Sequence, residues 1–116
     1  MNTKWLWVLS MNYKSKRSKA CDIPQKVKEE VWERDNHQCI VCGKPGVPNA
    51  HYISRAHGGL GIPRNIVTLC PHCHDEYDNG KDPTKYKMVI KGYLTAHYDG
   101  WNEDELIYKK WRNISC

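Results

Sequence analysis

The sequence predicts a small α+β fold that is held together by a structural zinc ion. A chain of 116 residues has room for one compact core of modest size, and such a core needs additional stabilisation. Four cysteines in two CxxC pairs indicate the stabilising element, because this is the spacing of a zinc site. The α+β class follows from the order of patterns, since helical apolar repeats flank a middle region of short extended segments and glycine turns.

The first predicted helix runs from about Pro24 to Arg34. Ile23, Val27 and Val31 recur at a spacing of four residues, as on the apolar face of a helix. Proline suits the first turn of a helix, because its missing N–H would have no partner there. We therefore expect an N-terminal helix with one apolar face ahead of the cysteine-rich region.

The middle region is predicted to contain three short extended segments, around residues 38–41, 49–54 and 66–69. A loop over residues 55–64 separates the last two. It contains three glycines, which let a backbone turn tightly and approach another group closely. An acid-free stretch over residues 36–74 suits an anionic partner, and its basic residues are Lys44, Arg55 and Arg64.

Two helices are predicted after the middle region. Pro71 opens a helix that carries His74 and Asp78 and stops near Gly80. Pro83 opens a longer helix with apolar residues on one face.

Residues 81–116 as a whole are predicted to form a C-terminal helical extension. Asn102 and Glu105, three residues apart, have the arrangement of a capping box, with Asn in place of Ser or Thr. This arrangement predicts a further helix that would include Trp111.

Residues 1–20 are predicted to form a flexible basic arm. They contain no acidic residue and no apolar period to bury, while the remaining residues carry 13 basic and 13 acidic side chains. Such an arm would attract phosphates without reading base sequence, although a solvated terminus without a partner explains the same pattern. Its basic residues are Lys4, Lys14, Lys16, Arg17 and Lys19.

No segment approaches the roughly 20 apolar residues that span a bilayer. The apolar run over residues 5–11 is short, and basic residues follow it instead of a small-residue cleavage site, so a secretory signal is not expected. The sequence therefore predicts a cytoplasmic protein without membrane contact.

The two CxxC pairs are Cys39 with Cys42 and Cys70 with Cys73, and 27 residues separate them. Each pair can present two thiolates to one ion, and four thiolates complete the tetrahedral shell that zinc prefers. Two disulfides, or buried unpaired cysteines, are the alternatives, and a reducing compartment disfavours the disulfides. Two further cysteines, at positions 21 and 116, have no predicted role.

Between and after the cysteine pairs the chain reads NAHYISRAHGGLGIPRNIVTLC and PHCHDEYDNG. These segments resemble the HNH endonuclease family, in which a His closes one strand, an Asn lies in the following loop and a second His opens a helix. The resemblance covers about residues 21–80. It implies a ββα-metal core and metal-dependent hydrolysis of phosphodiester bonds in double-stranded DNA. YDNG and the later WNEDELIYKKW also look like small phage or prophage members.

The resemblance implies a role for four side chains, and a fifth candidate, Arg55, follows from its place in the acid-free loop. His51 matches the general base, and Asn65 matches the asparagine that braces the loop and orients the His51 ring. His74 and Asp78 match ligands of a catalytic divalent cation such as Mg²⁺, Mn²⁺ or Ni²⁺. Arg55 is a candidate for holding a phosphate near the scissile bond, or equally for a non-specific backbone contact. The expected nucleic-acid contacts are Lys14, Lys16, Arg17, Lys19, Arg55 and Arg64.

The chain departs from the family pattern at Ala50. Many members carry Asp or His just before the general base, as a further metal ligand. Either the remaining ligands suffice, or the register shifts so that His51 is a ligand and Tyr52 stands at the base position. The spacing to the double glycine favours His51 as the base.

Three functions explain these features to different degrees. A DNA endonuclease that nicks or cuts accounts for both the cysteines and the histidines. A catalytically inactive HNH-like zinc module that binds DNA accounts for Ala50. A zinc-ribbon interaction domain accounts for the cysteines alone. The C-terminal helices could pair two copies as a homodimer, and phage DNA-processing proteins are further expected partners.

Overall fold

The computed structural model describes residues 15–110 and has an α+β fold, so the predicted class is confirmed. No helix in this range combines the length and the apolar character that crossing a membrane requires. The elements in chain order are α1 (Lys16–Cys21), α2 (Gln25–Arg34), β1 (Val47–His51), a 3-10 helix (Arg55–His57), β2 (Ile66–Leu69), α3 (Pro71–Asn79), α4 (Pro83–His97) and a second 3-10 helix (Glu103–Leu106).

The two strands form an antiparallel pair that leads directly into α3. Ala50 lies opposite Val67 and His51 opposite Ile66, with an irregularity in the register between Val47 and Ala50. All four residues of β2 are buried. Cys70 then serves as the N-cap of α3, so strand and helix follow without a loop. This order of two strands and a helix is the ββα arrangement that the family resemblance implied.

Helix α2 begins after Pro24 and ends at Arg34, as its apolar spacing predicted. Val31 is fully buried on its inner face. Asn36 and His37 adopt left-handed backbone conformations, with φ of 56° and 63°, so the chain turns away immediately after the helix.

A buried ionic network joins α2 to β2 and α4. The Arg34 guanidinium donates two hydrogen bonds to the Asp35 carboxylate, at 2.7 and 3.0 Å, and one to the Ile66 carbonyl. Asp35 also accepts hydrogen bonds from the Thr68 backbone N–H at 2.9 Å and from the Tyr93 hydroxyl at 2.6 Å. Because each charge is paired and hydrogen-bonded, the network tolerates burial.

The apolar core lies around β1 and β2 and includes residues of α4 and of the C-terminal 3-10 helix. α4 contributes Tyr86, Ile90 and Leu94 from its predicted apolar face, whereas Val89 and His97, which the helical spacing places on the same face, are exposed. The fully buried apolar residues are Val31, Ala50, Ile66, Val67, Leu69, Ile90, Leu94 and Leu106.

The prediction of a flexible arm over residues 1–20 is wrong for the part of it that the structure describes. Residues 16–21 form α1, because the Ser15 side chain caps the helix by accepting a hydrogen bond from the Ser18 N–H, and Cys21 is buried. Residues 1–14, with Lys4, Lys14 and the apolar run, lie outside the described residues.

The prediction of a further helix after Asn102 that includes Trp111 is wrong in the described part of the chain. Asn102 accepts a hydrogen bond from the Asp104 N–H, but the helix is a single 3-10 turn that ends at Leu106. The next residues are extended, because the Leu106 carbonyl accepts from the Leu60 N–H and the Tyr108 N–H donates to the Gly58 carbonyl, both at 2.8 Å. The C-terminal segment thus pairs with the glycine-rich loop instead of continuing as a helix. Trp111 lies outside the described residues.

Candidate functional site

Four cysteine sulfurs form one compact cluster. The Sγ atoms of Cys39, Cys42, Cys70 and Cys73 all lie within 4.8 Å of one another, and those of Cys42 and Cys70 are 3.5 Å apart. In a tetrahedral zinc site with Zn–S bonds of about 2.3 Å, neighbouring sulfurs are about 3.8 Å apart. The five cysteines among residues 15–110 are free thiols, so no disulfide competes for these sulfurs. The cluster therefore fits a metal ion such as zinc.

The local backbone builds each half of this cluster. The Gly43 N–H donates to the Cys39 carbonyl at 2.9 Å, and Gly43 takes a φ of 80°, which closes the tight turn around the first pair. In the second pair, the Cys73 N–H points to the Cys70 sulfur at 3.4 Å within the first turn of α3. Both turns direct two sulfurs to the same point.

The electrostatics of the cluster call for a cation. Burial opposes ionisation of Cys39, but hydrogen bonds from the backbone at Cys42, Cys70 and Val41 lower the pKa of its thiol to about 7. Burial and then hydrogen bonds to the neighbouring sulfurs raise the pKa of Cys73. Four adjacent thiols cannot all ionise without a positive charge between them, which a bound metal supplies.

His51 ends β1 with its ring half-buried. Its Nε2 lies 2.9 Å from the carbonyl oxygen of Cys21, the last residue of α1. A carbonyl can only accept, so Nε2 carries the proton and Nδ1 is left with a free lone pair. Burial lowers the pKa of His51, the Cys21 carbonyl opposes this, and the charges of Arg55 and His74 lower it further. The ring is therefore neutral at neutral pH.

His74 and Asp78 lie one turn apart on α3. The His74 Nε2 and the Asp78 Oδ2 are 3.1 Å apart. Neighbouring ligands on one octahedral ion with bonds of about 2.1 Å are about 3 Å apart, so both atoms can reach the same divalent cation. Within residues 15–110 the cysteine cluster is the only group of three or more metal-binding side chains, so this second site offers two protein ligands of that kind.

A single open groove brings the predicted catalytic side chains together. His51, His74 and Asp78 all line it. The other lining residues come from the segment between α1 and α2, from α2, from β1 and from the loop that follows β1, and they are Asp22, Ile23, Lys28, Asn49, Ser54, Arg55 and Ala56.

Asn65 lies beneath the loop and is fully buried. Its side-chain oxygen accepts from the Ile53 N–H at 2.8 Å, and its amide donates to the carbonyls of Ile53 and Leu60 at 3.1 and 2.8 Å. The loop is held tightly, because a Cβ at Gly59 would overlap the Ile53 carbonyl. Asn65 therefore braces the segment that begins two residues after His51.

At position 50, where many family members carry a metal ligand, the strand directs the side chain away from the groove. Ala50 is fully buried in the core, whereas its neighbours Asn49 and His51 line the groove. The Tyr52 hydroxyl donates to the Glu103 carboxylate, and burial followed by this carboxylate raises the Tyr52 pKa. Tyr52 is thus ill suited as a base, which disfavours the shifted register.

The predicted nucleic-acid contacts fall in different places. Arg55 lines the groove but pairs with Asp22, with 2.9 Å between Nη1 and Oδ1. The Arg64 guanidinium lies over the Tyr98 ring, 5.3 Å from its centroid.

The basic residues of α1 do not line this groove. Arg17 donates to the loop carbonyls of Arg55 and Ala56, at 3.2 and 3.0 Å. Lys16 and Lys19 line a separate cleft. Lys14 lies outside the described residues.

Three groups at the site were not predicted from the sequence. Asn49 could have been predicted, because strand alternation places it on the same side as His51. The Cys21 carbonyl and Lys28 have no local sequence signal, since α1 and α2 reach the groove only through tertiary packing. Lys28 also stands in a helix with three glutamates, which hides its charge in any local average.

Two comparisons with known proteins give a match. The family model for HNH endonuclease matches residues 39–80. A curated protein named Anaredoxin, from Nostoc sp. strain PCC 7120, is 32% identical over 59 residues, which cover 49% of this chain and 78% of that protein. No solved structure gives a significant match.

Proposed function

This chain belongs to the HNH endonuclease family, and we propose that it is a metal-dependent endonuclease that hydrolyses phosphodiester bonds in double-stranded DNA. The observation that carries the proposal is the convergence of a neutral His51 and the His74–Asp78 pair on one groove. A base for water and ligands for a divalent cation are the groups that this hydrolysis requires.

His51 would activate the attacking water. With Nε2–H held by the Cys21 carbonyl, the free lone pair of Nδ1 accepts a proton from water while the water oxygen forms a bond to phosphorus. The bond from phosphorus to the 3′ oxygen breaks in the same displacement. The lowered pKa of His51 keeps the ring in the form that can accept this proton.

His74 and Asp78 would hold the catalytic cation, with Mg²⁺, Mn²⁺ and Ni²⁺ as candidates. When bound, the cation stabilises negative charge on the phosphate and on the departing 3′ oxygen. Asn49 adds a neutral amide on the same wall of the groove. Asn65 fixes the loop beside His51, and Arg55 could reach a phosphate by exchanging Asp22 for it.

The four clustered cysteines would hold a structural zinc ion. A closed shell of four sulfurs leaves no open position for a reactant, so this metal stabilises the fold and takes no part in the chemistry. Reduced cysteines require a reducing compartment, and we therefore propose a cytoplasmic location.

The second candidate is an HNH-like zinc module that binds DNA without cutting it. The buried Ala50 favours this candidate, because it leaves His74 and Asp78 without the usual third ligand. The Nostoc relative, whose name does not describe a nuclease, is compatible with it.

Nicking of supercoiled plasmid DNA distinguishes the two candidates. We expect the intact, zinc-loaded protein to nick with Mg²⁺, Mn²⁺ or Ni²⁺, and His51→Ala to lose about 100-fold or more of the rate, the usual contribution of a general base. His72→Ala is the matched control, because His72 is exposed on α3 and does not line the groove. An intact protein that binds the plasmid but leaves it supercoiled would support the second candidate.

A further inference from the structure

A second depression adjoins the groove that holds the candidate catalytic residues. The two share three lining residues, namely His51, Ser54 and Asp78. Together the two adjoining depressions are called the double groove, and His51 and Asp78 lie where its halves meet.

Each half of the double groove carries a lysine from a different helix. Lys28 of α2 lines the first half, and Lys87 of α4 lines the second. Lys87 lies over the Tyr52 ring, with its Nζ 5.6 Å from the centroid. This contact restricts the positions that the ammonium group adopts. Among residues 15–110, no ion pair engages either lysine. Asp22, the other acid in the first half, pairs with Arg55.

We propose that one strand of the DNA substrate runs along the double groove, with Lys28 contacting a phosphate on one side of the scissile bond and Lys87 a phosphate on the other. This inference rests on the proposed function. A charge distribution with a cation site at the centre and one lysine in each half matches a chain of regularly spaced phosphates.

The polar groups between the lysines suit the same occupant. The Ser54 hydroxyl lies 2.7 Å from Nδ1 of His57, and both residues line the second half. When the hydroxyl donates to Nδ1, the neutral His57 ring presents Nε2–H as a further hydrogen-bond donor. A phosphate oxygen beside Lys87 can accept this bond.

A rival path is a separate cleft that shares no lining residue with the double groove. Lys16, Lys19 and Lys109 line a cleft floored by Leu60 and Ile107, and no acid lines it. This cleft does not include His51 or Asp78, so a strand bound there would not reach the candidate catalytic residues. Substitutions in the two places therefore distinguish the two paths.

The test is DNA affinity as a function of salt, measured in a His51→Ala background so that cleavage does not interfere. With Mg²⁺ and a short duplex, we expect Lys28→Gln and Lys87→Gln each to weaken binding about three- to tenfold. Each should lower the slope of log K against log salt by about 0.9, the value for one phosphate contact. Lys26→Gln and Lys85→Gln are matched controls, because Lys26 is exposed on α2 and Lys85 lies over a tyrosine ring on α4, both outside the double groove.

The outcome is read separately from that of the proposed function. The strand path is overturned, even if the protein nicks DNA, if the salt slopes of the Lys28 and Lys87 variants equal those of their controls while Lys16→Gln and Lys19→Gln lower the slope. If the expected slopes are found but the intact protein never nicks, the path stands and catalysis is refuted. In a protein that nicks, both groove variants should raise KM more than they lower kcat, since they hold phosphates and do not touch the reacting atoms.

Discussion

At the scale of single residues, position 50 shows how strand geometry decides which side chain can serve the site. Successive side chains of β1 alternate between the core and the groove. Ala50 falls on the core side, while Asn49 and His51 fall on the groove side. The sequence revealed a missing ligand at position 50, and strand alternation from His51 is the signal by which the place of Asn49 in the groove could have been predicted.

This geometry predicts opposite effects for two neighbouring substitutions. Asn49→Asp should strengthen binding of Mn²⁺ by about tenfold, since a carboxylate replaces an amide near His74 and Asp78. Ala50→Asp should instead lower the free energy of unfolding by about 2 kcal/mol or more, because it buries a carboxyl group among core residues. Calorimetric Mn²⁺ titration of the zinc-loaded protein and thermal melts measure the two effects. Stronger Mn²⁺ binding by the Ala50 variant, with unchanged stability, would contradict the assignment.

At the scale of elements, local pattern predicted the helices, and packing decided the rest. The apolar spacing and the prolines placed α2, α3 and α4 within a residue or two of their observed bounds. No local signal showed that Asp35, which ends α2, would join β2 and α4 in one buried network. The C-terminal helix was predicted too long for the same reason, since its pairing with the glycine-rich loop is a contact between distant parts of the chain.

The buried network predicts an ordered series of stabilities. Asp35→Ala should lower the free energy of unfolding by about 3–5 kcal/mol, because it leaves Arg34, which is 11% exposed, without its partner. Tyr93→Phe removes one hydrogen bond to the same carboxylate and should cost about 1.5–3 kcal/mol. Urea unfolding measures both changes. Equal values for the two variants would show that the Arg34–Asp35 pair does not hold the elements together.

At the scale of the whole molecule, α3 joins the cysteine cluster to the groove. This helix begins at the cysteine cluster and carries His74 and Asp78 on the side that lines the groove. The double CxxC spacing predicted the cluster from sequence. The convergence of Lys28 and Lys87 on the groove could not be predicted, because α2 and α4 are far apart in the chain.

Removal of the structural metal should therefore unfold the protein. Zinc binding to such sites contributes on the order of 10 kcal/mol, which is comparable to the entire stability of a domain of this size. We expect a strong chelator to abolish the cooperative melting transition, and added Zn²⁺ to restore it. A melting curve that is unchanged after complete zinc removal would contradict the structural role of the cysteines.

The association of two copies stays a prediction. Met88 and Val89 are 71% and 46% exposed and give α4 an apolar surface that a second copy could cover. A phage origin and phage DNA-processing partners likewise remain predictions from the family resemblance.

In the proposed reaction His51 is the base for metal-dependent DNA cleavage, and the decisive measurement is the pH dependence of single-turnover cleavage. The base must be unprotonated, so the rate should fall as the pH drops through the pKa of His51, which burial lowers from its ordinary value of 6.5. We expect full activity at neutral pH and a loss of activity with a midpoint below 6.5. His51→Ala should lose about 100-fold or more of the rate at neutral pH, and this difference should shrink as the pH falls below the pKa of His51. Cleavage by His51→Ala at the rate and with the pH dependence of the intact protein would show that His51 is not the base.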